Sequence, residues 1–157
     1  MRNKEKFEKI IIQHRSIISK VCFLYAGEEE FEDYYQEVLF QLWRSLPKFR
    51  GESEISTWIY RISLNTCISF IRKDRKMKKV PLQQELNFSN NDVESKMQIR
   101  ELYYLINQLN KLEKAMILLW LDEKSYEEIA AITGLSRNNV AVKLSRIKEK
   151  LKKMSNQ

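Results

Sequence analysis

The side chains best suited to recognising another molecule lie near the end of the chain, between residues 137 and 146. On a helical wheel, an apolar stripe is formed by Val140, Leu144, Ile147 and, further along, Leu151. The opposite side carries Arg137, Asn138, Asn139, Val142, Lys143, Ser145 and Arg146. Amides and arginines hydrogen-bond the edges of bases, basic groups neutralise phosphates, and an apolar side chain suits a thymine methyl group. The pattern predicts a helix that recognises duplex DNA, although an exposed valine taken alone is ordinary.

A second set of recognition side chains lies along one seam of a helix predicted from about Ser53 to Lys76. The seam consists of Trp58, Arg61, Asn65, Ser69 and Arg72, and the loop before the helix adds Phe49 and Arg50. Unpaired bases need a stacking surface, a hydrogen-bonding side chain and charges that neutralise phosphate. Phe49 would then form the wall of a pocket for an extruded base. Packing in the core is the favoured alternative for Trp58.

A third set lies on the predicted outward face of the preceding helix. It consists of Asp33, Gln36, Glu37, Phe40 and Arg44. A charged helix face is usually just solvated. A phenylalanine surrounded by carboxylates and an arginine is nevertheless typical of protein interfaces, whose centres are rich in aromatic residues and arginine.

The elements that position these three sets are all predicted to be helices, because apolar residues recur three and four apart. In the first part of the chain we expect helices from about Glu5 to Tyr25, from about Glu30 to Leu46, and from about Ser53 to Lys76. Four more helices are expected between about Asp92 and Lys153. Ser125 with Glu128 three residues later forms a capping box, Gly134 supplies a turn, and Ser136 caps the helix that carries the first set.

The composition changes between the two groups of helices. Residues 72–96 are polar, contain Pro81 and have few large apolar side chains, which is typical of a linker. We therefore predict an all-α chain of two small helical domains, residues 1–76 and 95–157, joined by a polar linker at 77–94. Each domain is too small for a large core, so each is expected to be only modestly stable.

Composition restricts the classes of function. Lys and Arg number 28 against 21 for Asp and Glu, a net charge of +7. This charge is typical of proteins with a polyanionic partner such as nucleic acid or an anionic membrane surface, but a soluble protein that is merely basic fits the charge equally well. No apolar run approaches the roughly 20 residues of a membrane span, and the N-terminus has no secretory signal, so we expect a cytoplasmic protein. With 2 Cys and 1 His the chain cannot assemble a structural zinc site. We expect no cofactor and no enzyme chemistry.

Two long stretches resemble a known family. DYYQEVLFQLW (33–43) followed by FRGESEISTWIYRISLN (49–65) is similar to region two of bacterial sigma factors of the extracytoplasmic-function (ECF) group. SYEEIAAITGLSRNNVAVKLSRIKEKL (125–151) resembles region four of the same proteins. Both motifs occur in the family's order and spacing, and the resemblance covers nearly the whole chain.

The resemblance implies roles for the three sets. Asp33, Gln36 and Glu37 match the motif that docks on the clamp helices of core RNA polymerase. The loop from Phe49 to Ser53, with Asn65, matches the part that captures a flipped base of the minus-ten promoter element. Residues 137–146 match the helix that enters the major groove of the minus-thirty-five element. An anti-sigma factor, often membrane-bound, is a further partner implied by the resemblance alone.

Two other functions remain open from the residues. A free-standing transcription regulator would bind duplex DNA through the same helix pair without polymerase. It would leave the second and third sets, the seam from Phe49 to Asn65 and the helix face from Asp33 to Arg44, without a purpose. A protein-interaction module would use a basic tail to contact a membrane or acidic proteins. This basic tail consists of Lys148, Lys150, Lys152 and Lys153. The capped helix pair and the polar face at 137–146 argue against this second alternative.

Overall fold

The structure is a computed structural model that describes the backbone of residues 2–73 and 93–156 and the side chains of residues 2–71 and 100–156. In the first range the helices are α1 (Arg2–Gln13), α2 (Arg15–Ala26), α3 (Phe31–Ser45), a 3₁₀ turn (Leu46–Lys48) and α4 (Ile55–Lys73). In the second range they are α5 (Val93–Asn107), α6 (Lys111–Leu121), α7 (Tyr126–Thr133) and α8 (Arg137–Ser155). The predicted all-α class is confirmed.

The chain divides into two units, Met1–Lys78 and Lys79–Gln157. Most of the predicted linker at 77–94 lies outside the described residues, and its last two positions, Val93 and Glu94, belong to α5. The predicted end of the third helix at Lys76 and the side chain of Arg72 also lie outside them.

The first unit is held together by helices α2, α3 and α4. Each contributes fully buried side chains to one apolar core, including Ile18, Val21, Cys22, Val38, Leu42, Ile59 and Cys67. The rings of Tyr34 on α3 and Phe70 on α4 lie 4.7 Å apart within this packing. Burial of such side chains contributes about 1.5–3 kcal/mol each. The core therefore fixes which faces of α3 and α4 point to solvent.

The expectation of one helix from Glu5 to Tyr25 is wrong. The chain breaks at His14, whose backbone leaves the helical region with φ −119° and ψ 22°. The Nδ1–H of its ring donates to the carbonyl oxygen of Ile10 at 3.0 Å. The apolar pattern conceals this break, because Ile10 before it and Ile17 after it are both buried.

Local signals set the helix ends in the second unit as predicted. In α7 the Ser125 hydroxyl accepts from the Glu128 N–H, and the Glu128 carboxylate accepts from the Ser125 N–H, both at 3.1 Å. A second reciprocal pair, Asn110 with Glu113, caps α6. Gly134 ends α7 in the left-handed region with φ 82°, a conformation that is cheap only for glycine.

Candidate nucleic-acid interface

Helices α7 and α8 form a helix–turn–helix whose second helix has two opposed faces. Val140, Leu144 and Ile147 are at most 2% exposed and hold α8 against the rest of its unit. The Ser136 hydroxyl accepts from the Asn139 N–H at 3.2 Å and starts the helix. Because the apolar stripe fixes its rotation, α8 presents its opposite face outward. Leu151, predicted to extend the stripe, is only half-buried.

The predicted DNA face of α8 is largely open to solvent. Arg137, Asn138, Asn139, Ser145 and Arg146 are exposed, and Lys143 is half-buried. Val142 is 48% exposed in the middle of these polar groups. Amide, hydroxyl, guanidinium and methyl groups are thus available side by side, which is the set of groups that base edges and phosphates require.

One member of this face is held by the neighbouring helix. The Nε–H of Arg137 donates to Glu127 Oε1 at 2.5 Å, and the Arg137 guanidinium carbon lies 5.6 Å from the centroid of the Tyr126 ring. The hydrogen bond from Arg137 is the largest of the effects that lower the pKa of Glu127 below its usual value. Sequence reasoning missed Glu127, since an acid in the first turn of a helix looks like an ordinary helix-dipole partner.

Some of the lysines in the basic tail of α8 contact other side chains of the protein, so not all of its positive charge is open to solvent. Lys148 Nζ lies 4.5 Å from the centroid of the Trp120 ring, and Lys150 Nζ lies 3.3 Å from Glu113 Oε1. Lys152 and Lys153, further along, are exposed. Two of the four lysines in this tail therefore also tie α8 to α6.

In the first unit, Phe49 and Trp58 come together where the chain enters α4. Their ring centroids are 4.9 Å apart, Trp58 is only 8% exposed, and Phe49 is half-buried. Gly51 turns the loop between them with φ 74°. Trp58 therefore packs in the core, the alternative favoured by the sequence, and Phe49 covers it.

The remaining residues of this seam lie at the surface. Arg50 in the loop and Arg61 and Asn65 on α4 are exposed, whereas Ser53 is half-buried. Arg61 and Asn65 are four residues apart and so share one face of the helix. Arg61 and Asn65 therefore place a guanidinium and an amide on the exposed surface of α4, the helix that follows Phe49.

The outward face of α3 presents a different chemistry. Asp33 and Gln36 are exposed, Glu37 is half-buried, and Phe40 is 52% exposed. The Arg44 guanidinium carbon lies 5.6 Å from the centroid of the Phe40 ring. The predicted face is therefore at the surface, with its aromatic ring accessible among charged groups.

Trp43 is an aromatic residue of α3 whose spacing of four from Leu39 and three from Leu46 predicts a position in the apolar core. It is 42% exposed, and the ring of Phe7 on α1 meets it edge-on with centroids 5.3 Å apart. Periodicity places Trp43 beside Leu42 and Leu39, so the pattern cannot distinguish a buried position from one at the edge of the core.

Within residues 2–73 and 93–156 no helix is both long and apolar enough to cross a membrane. In the same part of the chain no group of three or more His, Cys, Asp or Glu side chains is arranged to hold a metal ion.

Comparisons with known proteins agree with the two-part organisation. Residues 10–77 match the family model for sigma-70 region 2, and residues 99–151 match the model for sigma-70 region 4. The chain is 29% identical to RNA polymerase sigma factor YlaC of Bacillus subtilis, covering 98% of this chain and 94% of the relative. It is 26% identical to sigma factor SigV of the same organism, over 93% and 91% of the two chains.

More distant matches extend the similarity. The chain is 25% identical to the ECF RNA polymerase sigma-E factor of Escherichia coli, covering 94% of this chain and 85% of that relative. The fold is similar to that of sigma factor RpoE from Bartonella quintana, solved with the anti-sigma factor NepR. That match has a TM-score of 0.75 and 19% identity, over 97% of this chain and 98% of that one.

CnrH, solved with the cytosolic domain of CnrY, has a similar fold with a TM-score of 0.71 and 18% identity, over 98% and 89% of the chains. The two region models together cover most of the chain in the order that sigma factors have. Sigma factors are initiation factors for transcription and not enzymes. The chain belongs to the ECF group of the sigma-70 family of RNA polymerase sigma factors.

Proposed function

We propose that this sigma factor binds core RNA polymerase through α3, recognises minus-thirty-five duplex DNA through α8, and helps to open and capture minus-ten DNA through α4 and the loop before it. The observation that carries the proposal is the two-faced α8, with Val140, Leu144 and Ile147 buried and a continuous set of base-type and phosphate-type groups outside. A helix that only packed would not need that outer set.

At the minus-thirty-five element, α8 enters the major groove. Asn138, Asn139, Ser145 and Arg146 hydrogen-bond base edges or phosphates, and Lys143 neutralises phosphate. Val142, surrounded by polar groups, contacts a thymine methyl group. The exposed Lys152 and Lys153 add charge that strengthens binding at any sequence and makes it sensitive to salt.

At the minus-ten element, Phe49 contacts an unpaired base. Trp58 packs against Phe49 from the core side and holds its ring in place. Arg50, Arg61 and Asn65 lie at the surface of the same loop and helix, where they contact phosphates and the base edge, and Ser53 and Arg72 complete this set. Unstacking a base step costs about a few kcal/mol, which stacking and phosphate contacts offset. No nucleotide hydrolysis is needed.

On core polymerase, the clamp helices bind the outward face of α3. Phe40 provides the apolar centre of the contact, and Asp33, Gln36, Glu37 and Arg44 provide its polar rim. The exposure of Phe40 supports this role, because a partner that covers the exposed half of this side chain removes apolar surface from water.

An anti-sigma factor is a further proposed partner. Two sigma factors of similar fold, RpoE of Bartonella quintana and CnrH, were solved in complex with NepR, an anti-sigma factor, and with the cytosolic domain of CnrY. We expect an equivalent protein to hold this chain inactive until a signal releases it.

In vitro transcription with purified core polymerase from the source bacterium tests the proposal. Holoenzyme should initiate at discrete genomic promoters, and core alone should not. Arg146→Ala should reduce initiation, whereas Glu101→Gln, which changes an exposed charge on α5, should not. If the chain neither binds core nor confers promoter-specific initiation, but still binds a specific duplex, a free-standing regulator is the correct function.

A further inference from the structure

Arg137 begins the proposed DNA-recognition helix, α8. It is the first residue of the helix, and in helix–turn–helix proteins the N-terminal residues of the second helix contact base edges. Two neighbours from the first turn of α7 hold its side chain: the Glu127 carboxylate and the Tyr126 ring. The capping box of Ser125 and Glu128 fixes that turn in place.

The geometry of the contact determines which donors remain for DNA. A guanidinium has five N–H donors, and the hydrogen bond to Glu127 uses the Nε–H. The four N–H groups of Nη1 and Nη2 form the end of the fork, which can donate to two acceptor atoms at once. The Tyr126 ring beside the guanidinium restricts the orientation of its plane.

A carboxylate beside a DNA contact can act in two opposite ways. It repels phosphates and competes with DNA for the arginine, which would weaken binding. It also orders a long side chain before DNA arrives, which removes part of the entropy cost of binding. The use of Nε–H favours the second effect, because Glu127 takes the donor at the side of the guanidinium and leaves those at its tip.

We propose that Glu127 is a positioning residue that holds Arg137 so that its Nη groups donate to a pair of acceptors on minus-thirty-five DNA. The acceptors are either O6 and N7 of a guanine or two oxygens of a phosphate. The inference rests on the proposed function, since it requires α8 to bind DNA. It adds to the DNA-binding set a residue of α7 that faces α8 across the turn.

Promoter binding by the reconstituted holoenzyme tests the inference in a double-mutant cycle. The probe is a duplex fragment of a promoter found in the transcription experiment. Arg137→Ala should weaken binding by about fivefold or more, as expected for loss of one specific arginine contact. Glu127→Ala should weaken it by about threefold, the order of one side chain that must be ordered on binding. In the Arg137→Ala background, Glu127→Ala should have no further effect.

Two controls separate positioning from folding and from charge. Glu127→Gln should stay close to the wild type, because the amide oxygen still accepts the Nε–H. Glu101→Gln on α5 removes one exposed negative charge elsewhere in the unit and should leave affinity unchanged. Arg137→Ala should either relax the preference at one base pair, which indicates guanine, or weaken all sequences equally, which indicates phosphate.

The inference is overturned if Glu127→Ala tightens binding or leaves it unchanged while Arg137→Ala weakens it. It is also overturned if Glu127→Ala weakens binding equally with and without Arg137, since that result indicates a purely structural role. Failure of the proposed function looks different: the wild-type holoenzyme itself would show no promoter-specific binding, and the inference would fail with it.

Discussion

The ring of Phe49 lies against the ring of Trp58, with centroids 4.9 Å apart and planes inclined by 32°. Trp58 is 8% exposed, and Phe49 is half-buried. The indole thus packs against the phenyl ring from the core side. Under the proposed function, Phe49 contacts the unpaired base and Trp58 only supports Phe49.

Truncating each ring should separate these roles. Trp58→Ala removes a buried indole and should lower the free energy of unfolding by about 3–5 kcal/mol. Phe49→Ala should cost much less stability but reduce promoter opening, measured by permanganate reactivity of minus-ten thymines. Normal opening by a folded Phe49→Ala holoenzyme would exclude Phe49 from base capture.

Phe40→Ala should weaken binding to core polymerase by about fivefold or more, the effect of losing an aromatic interface centre. Phe40 is 52% exposed, so its truncation should change the free energy of unfolding by no more than about 0.5 kcal/mol. Titration of labelled protein with core polymerase measures the first effect, and thermal unfolding measures the second. Val142→Ala, at a similarly exposed apolar residue in the other unit, is the matched control and should bind core normally.

The capping box of α7 should make stability depend on pH. Hydrogen bonds from the Ser125 backbone, and then from its side chain, are the main causes that lower the pKa of Glu128 below its usual value. A carboxyl whose pKa is lowered on folding stabilises the fold above its unfolded pKa, and that stability is lost as pH falls through the folded pKa. Glu128→Gln should therefore be less stable than the wild type at about pH 7.

Urea unfolding followed by circular dichroism at several pH values measures this difference. The difference in the free energy of unfolding between the wild type and Glu128→Gln should become smaller as the pH falls below about 4, the usual pKa range of a glutamate. If this difference in the free energy of unfolding did not change with pH, the charge of Glu128 would not contribute to the stability of the fold. Glu101→Gln, which removes an exposed carboxylate outside the capping box, is the control and should match the stability of the wild type at neutral pH.

Gly134→Ala should destabilise the second unit by about 1–2 kcal/mol. Gly134 has φ 82°, and a Cβ built on it meets no heavy atom within 4 Å, so the cost arises from the backbone conformation and not from a clash. Gly134→Asn should cost less, because asparagine tolerates the left-handed region. Urea unfolding compares the three proteins, and equal stability of the alanine variant would contradict this explanation.

Sequence signals were sufficient where a structure depends on residues close together in the chain. Ser125 and Glu128 are three residues apart, and Gly134 determines its own turn, so the ends of α7 could be predicted without knowing what it packs against. The buried stripe of α8 follows from the same local periodicity. The all-α class follows from several such signals together.

The rest depends on contacts that sequence spacing does not encode. The break at His14 could not be predicted, because the three- and four-residue spacing of buried apolar side chains continues from the helix before it into the helix after it. Trp43 fits the core stripe of α3 but lies at its edge, where Phe7 covers only part of it. Glu127 lies on α7 and Arg137 on α8, so their contact depends on the angle between the two helices, which the spacing of residues along the chain does not give.

The two buried cysteines provide an independent measure of how one half of the molecule opens. Cys22 and Cys67 are the chain's 2 cysteines, and both lie in the core of the first unit. The hydrogen bond with Cys22, and then burial, raise the pKa of the Cys67 thiol. Because the thiolate is the form that reacts, alkylating reagents should label these side chains only when α2 and α4 separate. The rate of labelling then reports the opening of the first unit alone, even when the second unit is present.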